Sequence, residues 1–357
     1  MTVGALEEKI KRHRAFWNRE NVDRPLVGFT IGSYFPVHRY EAAHNLAEEN
    51  KRIDAEDINA EAFIDDYERL YGYSAATDQD VFWVAEPFTG IPWMESFFGC
   101  GIYGNRDSMR AEPLEIKNIN DLENIPPLDR SPWYEKYIEF TSLLSGRSGG
   151  RYPVGQPILR GISDTIGAMV GQEELVYYFY DEPELMKRLC RNVNSVFLQV
   201  IEEQQNSIPA FLGGYSMGFY DLWCPGKCVW FQEDLTSLLS PDIYREYILE
   251  CNREVCHRYE YNAIHLHPSS FYILDDLLNI KNLKVIEINK DVGGPSVEEM
   301  VPLFKRVLEK KRLCIWGDLD EKDIYAIKKS LPFSGLFLNI VSPGVAEANA
   351  LMKFIKG

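Results

Sequence analysis

Short apolar runs recur along this chain without polar–apolar alternation, separated by stretches long enough for helices. That recurrence constrains the fold more than any other feature. The runs are Leu26–Ile31, Val81–Ala85, Tyr152–Gln156, Val229–Gln232, Ala263–His267, Lys284–Ile288, Leu313–Trp316 and Leu336–Val341. Helix-length segments cover 173–205, 240–260, 270–280, 296–311 and 320–331. A strand that is apolar on both faces belongs to a parallel sheet with helices packed on both sides. Eight such units predict a closed (β/α)8 barrel. An open doubly wound sheet is the competing arrangement, but no Gly-x-Gly-x-x-Gly follows an early strand.

The whole chain, 1–357, reads as one barrel domain with two additions. An amphipathic helix over residues 5–20, with Leu6, Ile10, His13 and Trp17 on one stripe, fills the N-terminal segment 1–22. Asp23-Arg24-Pro25 stops it. A polar, acid-rich helical excursion spans 40–75. Phe211–Met217 adds a hairpin before the fourth barrel strand, and Ser240-Pro241 and Ser296 are placed to cap helices.

The net charge of −16 repels phosphate backbones and anionic lipid, which excludes nucleic acid and membrane surfaces as partners. No run approaches the roughly 20 apolar residues of a membrane span. The seven cysteines are odd in number and irregular in spacing, and the N-terminus has no apolar core. Reduced thiols and a cytoplasmic location are the expectation. Cys224-Pro-Gly-Lys-Cys228 has the spacing of half a zinc knuckle, but a Pro-Gly turn between incidental thiols is the simpler reading.

In a parallel barrel the chemistry sits just past the C-terminal ends of strands. Those ends carry Glu86, the pair Glu233-Asp234, His265-Leu266-His267, Glu287 with Asn289, Asp318, and Ser342-Pro343-Gly344. Residues i and i+2 of a strand point the same way, so both imidazoles can reach one ion. Adjacent Glu233 and Asp234 point oppositely, so one faces the interior, and Asp234 is the preferred candidate. Glu86 lies among Phe88, Trp93 and Glu95, where burial would raise its pKa and suit it to general acid work. Arg160 is the basic group placed at the mouth. Gly293-Gly294 after strand 6 is more simply a loop than an anion cradle.

Three segments resemble the uroporphyrinogen decarboxylase superfamily, in matching order over nearly the whole chain. They are Asp23-Arg24-Pro25-Leu26-Val27 leading to Tyr34-Phe35-Pro36, Gln232-Glu233-Asp234 through Leu239-Ser240-Pro241-Asp242, and Trp316-Gly317-Asp318-Leu319-Asp320 followed by Phe337-Leu338-Asn339. The resemblance implies a barrel of that type, a homodimer, and one of two chemistries. One is cofactor-free decarboxylation of a tetrapyrrole. The other is zinc-dependent methyl transfer between a corrinoid protein and a thiol such as coenzyme M. The decarboxylases hold substrate carboxylates with arginines after the first strand, and Phe29-Thr30-Ile31-Gly32-Ser33 contains none. The decarboxylase aspartate after strand 2 aligns with Glu86. The methyltransferases carry His-x-Cys where this chain has His265-Leu266-His267, and a second Cys near Ser342.

The first reading is therefore metal-assisted methyl transfer on a small molecule. In it His265 and His267 hold Zn2+ with a carboxylate from Glu233, Asp234, Glu287 or Asp318. Glu86, Asp234 and Asp318 are the candidate catalytic acids, and Tyr34, Trp93, Arg160 and Ser342 the candidate substrate contacts. The alternatives are a decarboxylase without cofactor, using Glu86 and Asp234, and a binding protein that has kept the cleft and lost the chemistry. For the histidines the bland reading is a hydrogen-bonded structural role. For Glu86 it is a loop acid, and for Arg160 a pairing with a neighbouring acid.

Overall fold

The computed structural model describes residues 3–116, 118–123, 125 and 127–357. Six strands form one fully parallel sheet: β1 (Leu26–Ile31), β2 (Cys228–Gln232), β3 (Tyr261–Leu266), β4 (Val285–Asn289), β5 (Arg312–Gly317) and β6 (Leu336–Ser342). Their order is β1-β6-β5-β4-β3-β2. Nearly every strand residue is buried, as expected for a sheet covered on both faces.

The two remaining expected strands, 81–85 and 152–156, do not form ladders. They run between β1 and β2 and are joined by single parallel bridges, Ala85 to Val154 and Arg160 to Gln232. The closed eight-stranded barrel is thus met only in part, for two physical reasons. On one side, Asp80 Oδ2 and Gln79 Oε1 accept from the backbone of Val27 and Phe29, where a strand would offer carbonyls. On the other, the antiparallel hairpin Tyr215–Met217/Leu222–Cys224 wedges in, so that residue 156 bridges to Met217 instead of β2.

The hairpin also fills one face of the sheet. Met217, Tyr220 and Leu222 pack there with Leu26, Trp230, Ala263, Val285, Cys314 and Phe337, while Phe16 and Trp17 of the helix Val3–Asn18 join the same cluster. The alternate residues Val27, Phe231, Ile264, Ile286, Ile315 and Leu338 face the covering helices. His265, Glu287 and Asn289 share parity with the hairpin-facing set.

The helices follow local chemistry. The expected 173–205 helix is two, Gln172–Asp181 and Pro183–Ser207, broken where Pro183 follows Glu182. The 240–260 segment contains a π-helical turn, Tyr244–Ile248. Ser240 accepts from Ile243 N, and Ser296 forms a reciprocal capping box with Glu299. Cys224 and Cys228 flank a Pro-Gly bend, and all seven cysteines are buried and unpaired. Among the described residues, no helix is long and apolar enough to cross a membrane.

Candidate metal centre

Sheet register builds the centre. Gln232 of β2 lies beside His265 of β3, and His265 lies beside Glu287 of β4. Neighbouring parallel residues point to the same face, so the imidazole arrives next to a carboxylate. His265 Nδ1 is hydrogen-bonded to Glu287 Oε2. Tyr220 donates to the same oxygen at 2.7 Å from the hairpin and stands 3.1 Å from His265 Nδ1. Glu287 is fully buried and His265 nearly so.

His267, two residues on, is held in the same way at its own Nδ1, 2.7 Å from Asp291 Oδ1. A carboxylate at each Nδ1 fixes the orientation of the ring and leaves Nε2 as the nitrogen that would bind a metal ion. Both Nε2 atoms face one acid: His265 Nε2 is 3.7 Å from Asp234 Oδ1, and His267 Nε2 is 4.0 Å from Asp234 Oδ2. The rings stand nearly perpendicular, at 87°, with centroids 4.5 Å apart. One ligand atom from each of Asp234, His265 and His267 lies within 4.8 Å of the others. Two imidazoles and a carboxylate are a chemically sound set for zinc or iron.

The electrostatics fit a cation. Burial opposes charge on His265, but Glu287, with Asp234 and Asp291 behind it, outweighs burial and raises the imidazole to about 9. Burial would raise Asp291, yet the hydrogen bond and charge of His267 bring it below the usual carboxylate range. Asp234 is a third exposed and is oriented by Gln232 Nε2 at 2.6 Å. Its backbone N–H and that of Leu235 donate to buried Asp164.

The other sequence-predicted residues sit as follows. Glu233 turns away from the imidazoles and caps the helix Ile162–Val170, accepting from Ile162 N, Ser163 N and Ser163 Oγ at 3.1, 2.8 and 2.6 Å. Glu287 stands behind His265, on its Nδ1 side. Tyr34 shares hydrogen bonds with Asn289 and lies over Trp316, 4.4 Å between centroids. Glu86 is buried beside the hairpin, where a Cβ on Gly218 would come within 2.6 Å of its Oε2. Burial raises Glu86 to about 8. Trp93 is buried, stacked on Tyr137, and donates to the Ile158 carbonyl. Arg160 pairs with Glu95 at 2.9 Å. Ser342 is buried and donates to the Gly344 carbonyl. Asp318 is exposed, and its carbonyl accepts from Lys290.

Three residues at this edge escaped the sequence reading: Tyr220, Asp291 and Arg39. Asp291 follows Asn289 at the same i+2 spacing that singled out the histidines, so that signal was present. Tyr220 and Arg39 gave none, because only the tertiary path of the hairpin and of the short helix Pro36–Arg39 delivers them. Clefts of about 590 and 670 Å3 lie elsewhere, one between the helices carrying Arg191 and Glu250, the other beside Arg12 and Asp78.

No protein-family model and no curated protein matches the sequence. Among solved structures, the fold is similar to that of a methyltransferase from Methanosarcina mazei, with a TM-score of 0.65 over 98% of each chain at 13% identity. At that identity the likeness speaks for the fold, an α/β architecture built on the parallel sheet.

Proposed function

We propose that the chain is a metal-dependent transferase of the barrel type, moving a methyl group to a small-molecule thiol. The observation that carries this reading is the convergence of His265 Nε2 and His267 Nε2 on Asp234, with each Nδ1 held by a carboxylate. The likeness to a methyltransferase fold supports the choice of reaction.

Asp234, His265 and His267 would hold the ion, with zinc the preferred candidate. A bound zinc ion supplies Lewis acidity, which stabilises a thiol as its thiolate at neutral pH. Glu287 and Tyr220 fix the His265 ring, and Asp291 fixes that of His267. The partial exposure of Asp234 and His267, 33% and 31% of their side chains, leaves the side from which a substrate enters. In the transfer the thiol loses its proton to solvent. The sulfur–carbon bond forms, and the carbon–donor bond breaks with its electron pair remaining on the donor. A corrinoid protein is the proposed donor.

The test is metal content by mass spectrometry, with methyl transfer from methylcobalamin to a thiol followed by absorbance. About one zinc or iron per chain is expected in the wild type, and loss of metal and turnover in Asp234→Ala, His265→Ala and His267→Ala. A metal-free wild type that also fails to take up added zinc would end the reading. A second reading, decarboxylation, is favoured by one observation: Glu86 is a buried acid, and burial raises it to about 8. It requires turnover of an acidic tetrapyrrole without metal, abolished by Glu86→Gln.

A further inference from the structure

Most cations at this edge already have partners. Arg160 is paired with Glu95. Lys290 reaches Asp323 and the Asp318 carbonyl. Arg39 differs. It ends the short helix after β1, and its guanidinium lies over the rings of Phe219 and Tyr40, 5.7 and 5.9 Å from the centroids. It forms no ion pair among the described residues, and its Nε is buried without an acceptor.

The acids that feel its charge do not neutralise it. Glu86 and Asp221 are both buried, and burial raises Glu86 to about 8 and Asp221 well above the carboxylate range. Burial thus disfavours negative charge on both, and neither forms an ion pair with Arg39 among the described residues. An uncompensated guanidinium therefore persists, half-buried, in a chain of net charge −16. A guanidinium in that state matches an oxyanion in charge and in its planar fork.

The aromatic wall beside it also holds unpaired donors. Phe219 packs on Trp316 and Trp230, at 5.1 and 5.6 Å between centroids. Both indole Nε1 atoms are buried with no hydrogen-bond partner. Buried donors are normally satisfied by the chain or by water, and the chain offers no acceptor to Arg39 Nε, Trp230 Nε1 or Trp316 Nε1. The wall is continuous with the centre: Trp316 meets Tyr34, Tyr34 bonds Asn289, and Asn289 bonds Asp291 beside His267.

We propose that Arg39 anchors the oxyanion end (carboxylate, sulfonate or phosphate) of a small molecule that lies along Phe219, Trp316 and Tyr34 and extends toward Asp234, His265 and His267. The direction of that extension rests on the proposed metal centre; the anchoring by Arg39 does not.

The experiment titrates the full chain with acetate, methanesulfonate and inorganic phosphate at constant ionic strength. Chloride is the control, and binding is read by calorimetry and by thermal shift. One oxyanion class should bind saturably to the wild type. Arg39→Gln should weaken it about tenfold or more, with zinc uptake unchanged. Should Arg39→Gln fail to fold, Arg39→Lys decides, since it keeps the charge and loses the fork. Weakened binding there supports the anchor and unchanged binding overturns it. A wild type that responds to no oxyanion beyond chloride overturns it too, and assigns the orphaned donors to ordinary water. His267→Ala separates the two readings. It should lose metal and keep the anion response; if it keeps the metal, the metal centre fails and the anchor stands.

Discussion

Tyr220 donates its hydroxyl to Glu287 Oε2 at 2.7 Å, so a residue of the intruding hairpin braces the carboxylate that orients His265. Partners one step behind a metal ligand typically change affinity by about 10–100-fold when removed. Tyr220→Phe should therefore weaken zinc binding by roughly tenfold, and Glu287→Gln by more, because it replaces the charged acceptor behind His265 with a neutral amide. Competition against a chromophoric chelator measures both. Affinities equal to wild type would show that His265 needs no support from behind.

The adjacent acids Glu233 and Asp234 should separate cleanly. Glu233 accepts three hydrogen bonds at the start of the helix Ile162–Val170 and makes none to an imidazole. Glu233→Ala strands two buried backbone donors and should cost about 1–3 kcal/mol of stability, leaving metal stoichiometry intact. Asp234→Ala should do the reverse, with metal lost and the urea midpoint of the metal-free protein little changed. Equal metal loss in both variants would contradict the division of roles.

How far the sequence reached is clearest at particular residues. The six strands of the sheet were legible because burial on both faces leaves apolar runs, as in Leu313–Trp316 of β5. The spacing of His265 and His267 was legible because strand parity is a local property. Residues 81–85 and 152–156 carry the same apolar signature yet form no ladder, since the contacts that displace one come from Asp80, Gln79 and a hairpin some 60 positions away. Arg39 and Tyr220 were not legible for a related reason. Nothing within their own segments shows which loop turns inward.

Packing of the hairpin against Glu86 yields a steric prediction. A Cβ on Gly218 would lie 2.5 Å from the Gln156 carbonyl and 2.6 Å from Glu86 Oε2. Backbone on one side cannot yield, so Gly218→Ala should destabilise by about 1–3 kcal/mol. Because the same hairpin carries Tyr220, the variant should also weaken zinc binding. Loss of stability without any change in zinc affinity would show that the two ends of the hairpin move independently.

The last prediction concerns pH. Burial raises Glu86 from 4.5 to about 8, so the folded chain keeps a proton that the unfolded chain releases above about pH 4.5. A state that binds more protons loses stability as pH rises. The contribution of Glu86 is therefore complete below its unfolded pKa and is lost progressively as pH climbs through the folded value. The full window amounts to at most about 5 kcal/mol. Glu86→Gln keeps the shape and has no proton to lose. Its urea midpoint should sit close to that of the wild type at pH 5 and clearly above it at pH 8. Parallel midpoints at the two pH values would mean that Glu86 ionises inside the fold without penalty. That would also remove the reason for leaving Arg39 without a counter-charge.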